Sequence, residues 1–208
     1  MKVNFYIDGF NLYYGALKGT PYRWLNLGEL CTRLLPRYAP PNRIRYFTAL
    51  VKPRPNDRDV LVRQQTLIRA LETVPNLSVH YGQFLSGVRS MPLAFPPSQG
   101  PAFAKVVRTD EKGSDVNLAS YLLVDGFKGD YDMAVVVSND SDLCEPIQLV
   151  QSELGLPVGV YNPQKITSWR LQQVATFYRS IRGGALAASQ FPPTLHDENG
   201  QITKPQGW

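Results

Sequence analysis

Apolar residues along this chain fall into short continuous runs and longer runs spaced by three or four, and the two kinds alternate. Residues 2–7 form a short run that stops at Asp8-Gly9, where glycine permits a sharp turn and leaves the aspartate at the strand's carboxyl end. Arg43–Val51, Leu77–Phe84, Lys105–Thr109, Met133–Val137 and Pro157–Tyr161 read as further strands. The run MAVVV has no polar alternation, as expected of a parallel strand covered on both faces. Helices fill the gaps. Asn26 is placed to cap Leu27–Leu35, whose stripe is Leu27, Leu30 and Leu34 and whose stop is Pro36. Arg58–Val74 sets Leu61, Leu67, Ile68 and Leu71 on one face, with Arg58 and Arg69 on another.

Ser114–Val124 and Ser141–Leu154 are the next helices, and Ile166–Arg182 supplies a last helix with an edge segment, TFYRSI. Leu85–Pro101 is rich in proline, glycine and serine without periodicity and reads as a long loop, a kind that is often functional. From Gly183 onward the pattern fades into a surface extension or small hairpin, with a turn signal at Glu198-Asn199-Gly200. Alternating strands and helices predict an α/β domain with a mainly parallel sheet and right-handed crossovers. Ligands in such sheets sit beyond the carboxyl ends of the strands, where the strand order reverses.

With 208 residues, one full-sized core is expected. The net charge of +5 and pI near 9.2 favour a polyanionic partner. Cys31 and Cys144 lack metal-ligand spacing and read as buried thiols of a reducing compartment. No charged stretch followed by a long apolar helix opens the sequence, and no apolar run approaches the roughly twenty residues needed to span a bilayer. The expectation is a cytoplasmic protein off the membrane, with oligomeric state left open.

Aspartates at strand exits carry the candidate chemistry: Asp8 in FYIDGFN, Asp115 in EKGSDVN, and Asp140 with Asp142 in VVVSNDSDL. Carboxylates gathered from such distant segments repel one another unless a cation sits between them, and hard divalent ions prefer carboxylate oxygen. Mg²⁺ or Mn²⁺ held this way, in a basic protein, suggests phosphodiester chemistry. Asp115 and Asp140 can each also cap the helix that follows. Two histidines, His80 in a strand and His196 in the tail, do not make the usual acid and base pair. GxxxxGK[ST], GxGxxG after a strand and GxSxG are all absent, which weakens nucleotide-triphosphatase, dinucleotide and α/β-hydrolase readings.

YIDGFNLYYG, EKGSDVNLASYLL and VVVSNDSDL, in that order, resemble the NYN domain family, in particular its LabA-like (DUF88) branch of the PIN-like nuclease superfamily. The likeness runs from about Lys2 to Tyr178. It implies a PIN-like three-layer α/β sandwich over residues 1–182, a C-terminal extension over 183–208, and a metal-dependent ribonuclease site. By the same likeness Asp8 is the first acidic ligand, Asn11 the polar residue after it, Asp115 the mid-chain acid, and Asp140 and Asp142 the last acidic pair. Asn139 stands where related motifs often carry glycine, which puts only fine geometry in question.

Around that set, Lys112 is placed to touch a phosphate or to make an ordinary surface contact, and Ser138 to hydrogen-bond a water at the metal or to serve as a turn residue after its strand. Phe10, Tyr13 and Tyr14 can stack on RNA bases, and Arg54, Arg58, Arg69 and Arg89 can contact backbone phosphates. The leading expectation is an endoribonuclease with RNA as partner. An RNA-binding or adaptor domain with a non-catalytic acidic pocket is the alternative. A phosphomonoesterase ranks last, because DGFN stands where a DxDxT nucleophile motif would be.

Overall fold

The computed structural model describes residues 1–35, 40–53 and 57–208. Ten strands are present among them: β1 (Val3–Asp8), β2 (Arg43–Thr48), β3 (Leu77–Tyr81), β4 (Gln83–Pro92), β5 (Phe103–Lys112), β6 (Met133–Val137), β7 (Val158–Asn162), β8 (Phe177–Ser180), β9 (Thr194–Asp197) and β10 (Gly200–Thr203). The helices are α1 (Gly9–Leu12), α2 (Leu27–Leu34), α3 (Val60–Glu72), α4 (Ser114–Phe127), α5 (Cys144–Leu154), α6 (Trp169–Val174) and α7 (Gly183–Ala188). A π-helical turn, Tyr13–Leu17, extends α1, and a 3₁₀ turn, Ser141–Leu143, precedes α5.

Six strands form one sheet in the order β3-β2-β1-β6-β7-β8, and every neighbouring pair is parallel. Successive side chains on a strand face opposite ways, so each central strand feeds two cores. Val3, Phe5 and Ile7 of β1 pack with α2, α3 and α7, while Tyr6 packs with α4, α5 and α6. The result is the expected three-layer, PIN-like α/β sandwich. Asn26 caps α2 through a 3.1 Å bond from the Glu29 N–H to its Oδ1. The proline expected to end that helix, Pro36, lies outside the described residues, as does Arg54.

One expectation fails in part. Lys105–Thr109 is a strand, within β5, and 93–101 is neither strand nor helix, but 85–92 is not loop. Instead β4 and β5 pair antiparallel along their full lengths, from Gln83 opposite Lys112 to Pro92 opposite Phe103, as a separate two-stranded arm. Val88 and Val107, directly paired, are 66% and 77% exposed, so no layer covers the arm's faces. Its foot is held by an edge-to-face contact of Phe84 with Phe10 at 5.6 Å.

Residues after 182 join the same core. Leu186, Phe191 and Ile202 are buried with β1 and α2, the Trp24 indole N–H donates to the Pro192 carbonyl at 2.8 Å, and Arg69 pairs with Asp197. Arg69 therefore braces the β9–β10 hairpin and is not free for a phosphate. Asp125 and Asp130 lie away from the acidic set and are paired: Asp125 takes Arg45 at 2.6 Å and the Tyr6 hydroxyl at 2.8 Å, and Asp130 takes Arg43 at 2.8 Å. Both cysteines are buried and free.

Candidate active site

Strand order reverses between β1 and β6. From β1 the chain builds outward to β2 and β3, and from β6 it builds the other way to β7 and β8, which opens a crevice at the carboxyl ends of the central pair. Asp8, the last residue of β1, is 5% exposed there. Its Oδ1 caps α1 by accepting from the Asn11 N–H at 2.9 Å, and its Oδ2 accepts from the Ser138 hydroxyl at 2.9 Å. Ser138 Oγ in turn accepts from the Asp140 N–H at 3.1 Å, and Asp140 Oδ1 accepts from the Asp142 N–H at 2.9 Å. Asp8, Ser138, Asp140 and Asp142 are thus linked across the crevice. Asp8 and Asp140 cap helical turns with one oxygen each.

Asn11 ties the loops together. Its Oδ1 accepts from the Asn139 N–H and from Gln164 Nε2, each at 3.0 Å, which commits that oxygen to holding the loops after β6 and β7. Asn139 is a second tie: its side chain donates to the Ile166 carbonyl at 2.9 Å and accepts from the Ser168 N–H at 3.0 Å and the Tyr178 hydroxyl at 2.8 Å. A glycine there could make none of these bonds.

Asp115 arrives from the arm, in the first turn of α4. It does not cap that helix. Glu111 does, accepting from the Ser114 N–H at 3.2 Å and from the Ser114 hydroxyl at 2.8 Å. Gly82 makes room for Glu111, since a Cβ there would lie 2.4 Å from its Oε1. Sequence reasoning passed over Glu111, although the acid stands inside the quoted EKGSDVN.

Charge decides what this arrangement can do. Burial pushes the Asp115 carboxyl up to about 6, with Asp8, Asp140, Glu111 and Asp142 adding to it in that order. Asp8 is also raised, by burial first; the Asn11 and Ser138 bonds oppose the rise, and Asp140 and Glu111 reinforce it. Among the described residues none of these five carboxylates has an ion-pair partner. Such a donor set suits a hard divalent cation. No three His, Cys, Asp or Glu side chains among the described residues converge closely enough to hold an ion outright. A cation would therefore keep much of its shell as water, as Mg²⁺ ordinarily does.

Two cavities flank the crevice. One, of about 460 Å³ between α4 and α5, is bordered by Asp115, Asp142, Glu111, Glu145 and Lys112, which puts Lys112 beside the acids. The other, of about 250 Å³, is bordered by Gly9, Tyr13 and Tyr14. Arg58 is exposed in the turn before α3 and lines neither cavity, and Arg89 is exposed on β4. His80, packed on Phe47 and Tyr121, is pushed down to about 4 by burial and by Arg45, so it is neutral near pH 7 and remote from the chemistry.

A parallel PIN-like sandwich with an acidic crevice at its switch point defines a nuclease-like class of α/β domain. The chain belongs to the NYN domain family, whose model matches residues 2–182. It is 30% identical, over its whole length and 75% of the relative's, to a Pseudomonas putida (strain DSM 28022 / S16) protein described as 6-hydroxy-3-succinoylpyridine 3-monooxygenase HspA. In fold it is similar to VPA0982, a Vibrio parahaemolyticus RIMD 2210633 protein of unknown function, with a TM-score of 0.56 and 17% identity over 88% of this chain and 93% of that one. No helix among the described residues is long and apolar enough to cross a membrane.

Proposed function

We infer that this NYN domain is an endoribonuclease of the LabA-like (DUF88) branch, acting in the cytoplasm on RNA, with Mg²⁺ or Mn²⁺ held by Asp8, Asp115 and Asp140. One observation carries the reading: near the strand-order reversal Asp115 feels the charges of Asp8, Asp140, Glu111 and Asp142, and none of the five has a cationic partner among the described residues. When bound, such a cation would offset phosphate charge and make water more acidic.

The protein's own groups do the rest. Ser138 fixes Asp8 Oδ2 and, through the Asp140 N–H, sets Asp140 against it. Asn11 and Gln164 keep the loops after β1, β6 and β7 in register. Asp142 and Glu111 add negative charge that strengthens cation capture, and Lys112 is placed to meet a phosphate oxygen. Residues 1–182 constitute the nuclease domain and 183–208 an extension that completes its core.

The test is cleavage of a labelled RNA with Mg²⁺ or Mn²⁺, with EDTA as control. Asp8→Asn and Asp140→Asn should each abolish metal-stimulated cleavage while far-UV circular dichroism stays unchanged. Full activity in either folded variant removes that residue from the mechanism.

The absence of three converging ligands among the described residues favours a second reading, an RNA-binding or adaptor domain without turnover. RNA retention with no products across metals and substrates would select it. The activity in the Pseudomonas relative's name is a further class of chemistry. Depletion of 6-hydroxy-3-succinoylpyridine in the presence of a reductant, without RNA products, would replace the ribonuclease reading.

A further inference from the structure

The smaller of the two cavities is built unlike the acidic crevice. Phe10 of α1, Tyr13 and Tyr14 of the π-helical turn, Tyr46 of β2 and Trp208 meet around about 250 Å³. Those rings come from three separate segments, and one of them lies beyond the part of the chain that the family model matches. Aromatic rings pack on one another edge to face or offset, with centres about 4.5–7 Å apart. Here Tyr13 and Tyr14 meet edge to face at 5.2 Å, and Trp208 meets Trp24 the same way at 6.5 Å, so the rings brace each other in pairs around an open space.

Cations are set into the same wall. Lys18 Nζ lies 5.0 Å from the centre of the Tyr14 ring, and the Arg23 guanidinium lies 5.7 Å from that of Trp208. Arg23 is fixed further by donating to the Thr20 and Gly207 carbonyls. Arg63 is also at the wall but is taken by Asp57. No ion pair among the described residues occupies Lys18 or Arg23, so the lining keeps positive charge available to an anion.

The cavity adjoins the acids. Gly9, the residue after Asp8, forms part of its floor, and a Cβ there would meet the Phe47 carbonyl at 2.7 Å and the Tyr46 ring at 2.8 Å. Burial pushes the Tyr46 hydroxyl up to about 12, and the Asp8 charge adds to the rise, which places the two within electrostatic reach. The volume falls below the roughly 300 Å³ at which drug-sized pockets begin, so a single ring system with one substituent is the fitting size.

We propose that this cavity binds a planar aromatic ring carrying an anionic group, the ring lying against Tyr14 and Trp208 and the anion held by Lys18 and Arg23. If the ribonuclease reading of the acidic crevice holds, the ligand is a nucleobase and phosphate of the RNA beside the bond to be cut. The same chemistry would also accept a small free aromatic acid. Only the ligand's source rests on the ribonuclease reading; the site itself does not.

Binding by calorimetry in EDTA separates these. Adenosine 5′-monophosphate and pyridine-3-carboxylate are the probes, with ribose 5-phosphate as anion without ring and adenosine as ring without anion. At least one probe should bind about tenfold more tightly than either control, and Trp208→Ala and Lys18→Ala should each weaken it by about tenfold. Tyr14→Ala, at a side chain 53% exposed, serves as the variant with the least to lose in folding, checked by an unchanged far-UV circular dichroism spectrum. Preference for the nucleotide assigns the ligand to RNA, and preference for the pyridine acid assigns it to a small molecule. Probes that bind no better than ribose 5-phosphate, or variants that bind like the wild type, overturn the proposal. Because metal and cleavage play no part, binding that survives in an Asp8→Asn protein inactive on RNA upholds the cavity whatever becomes of the nuclease.

Discussion

Replacing Asp115 with asparagine should make this protein more stable while silencing it. The substitution keeps the side chain's shape and removes a charge that burial and four neighbouring carboxylates oppose. Moving the carboxyl from its ordinary 3.8 to about 6 corresponds to roughly 3 kcal/mol at about 1.4 kcal/mol per unit. The side chain is only half-buried, so solvent screening reduces the effect to about 1–2 kcal/mol.

A raised carboxyl pKa means that the folded state favours the protonated acid. Asp115 therefore costs the wild type nothing below about pH 4, an increasing amount as pH rises to about 6, and its whole penalty at pH 7.5. Thermal melts should show the Asn variant about 2–8 °C higher in Tm at pH 7.5 and coincident with the wild type near pH 4. Added Mg²⁺ should raise the wild type toward the variant at pH 7.5, because it binds the folded state with its charge intact. A variant less stable than the wild type at pH 7.5, or a gap of equal size at pH 4, would refute the electrostatic account of the crevice.

Other positions give separate checks. Asp125→Ala strands Arg45 in a buried site and should cost about 3–5 kcal/mol in urea unfolding; a loss under about 1 kcal/mol would mean that solvent reaches the pair. Ser138→Ala removes the one side-chain donor that Asp8 has among the described residues, so the Asp8 carboxyl should rise further and the acidic limb of the cleavage pH profile should move to higher pH; an unmoved limb would take Asp8 out of that ionisation. Ile202→Ala should cost roughly 2–5 kcal/mol although it lies beyond the matched family region, and a neutral result would show the hairpin to be dispensable for folding.

How much of this was legible in the sequence depended on burial. MAVVV at 133–137 is a strand to the residue, because both its faces are covered and burial leaves a continuous apolar signature. The β4 half of the arm left none, although part of β5, Lys105–Thr109, could be read as a strand. With both faces in solvent nothing selects alternate apolar positions, and Gly87, Ser90 and Pro92 made the segment look like loop. The same divide separates the site residues. Asp8 ends one covered strand and Asp140 follows another, so both could be read directly, whereas Glu111 is the next-to-last residue of the arm, and its capping of α4 depends on Gly82 across the ribbon. Trp208 meets Arg23 across nearly the whole chain, and no local pattern announces such a contact.

The treatment of acids elsewhere in the fold argues that the crevice charge is retained for use. Asp125 and Asp130 each have an arginine, and the Asp130 carboxyl is held below its usual range chiefly by Arg43. One domain thus neutralises these aspartates while leaving Asp115 unpaired against Asp8, Asp140, Glu111 and Asp142 near the switch point, a local conflict of the kind expected at functional sites. That charge also constrains the non-catalytic alternative. A phosphodiester approaching the uncompensated carboxylates would be repelled whether or not it is then cleaved, so occupation of the crevice by RNA requires a cation in either case. RNA binding that persists in EDTA must then lie elsewhere, and the Lys18 and Arg23 wall is the place with both the charge and the rings to hold it. Lys18→Ala should accordingly weaken EDTA-resistant binding, and Asp140→Asn should not; the reverse pattern would put the RNA in the crevice and remove the requirement for a cation there.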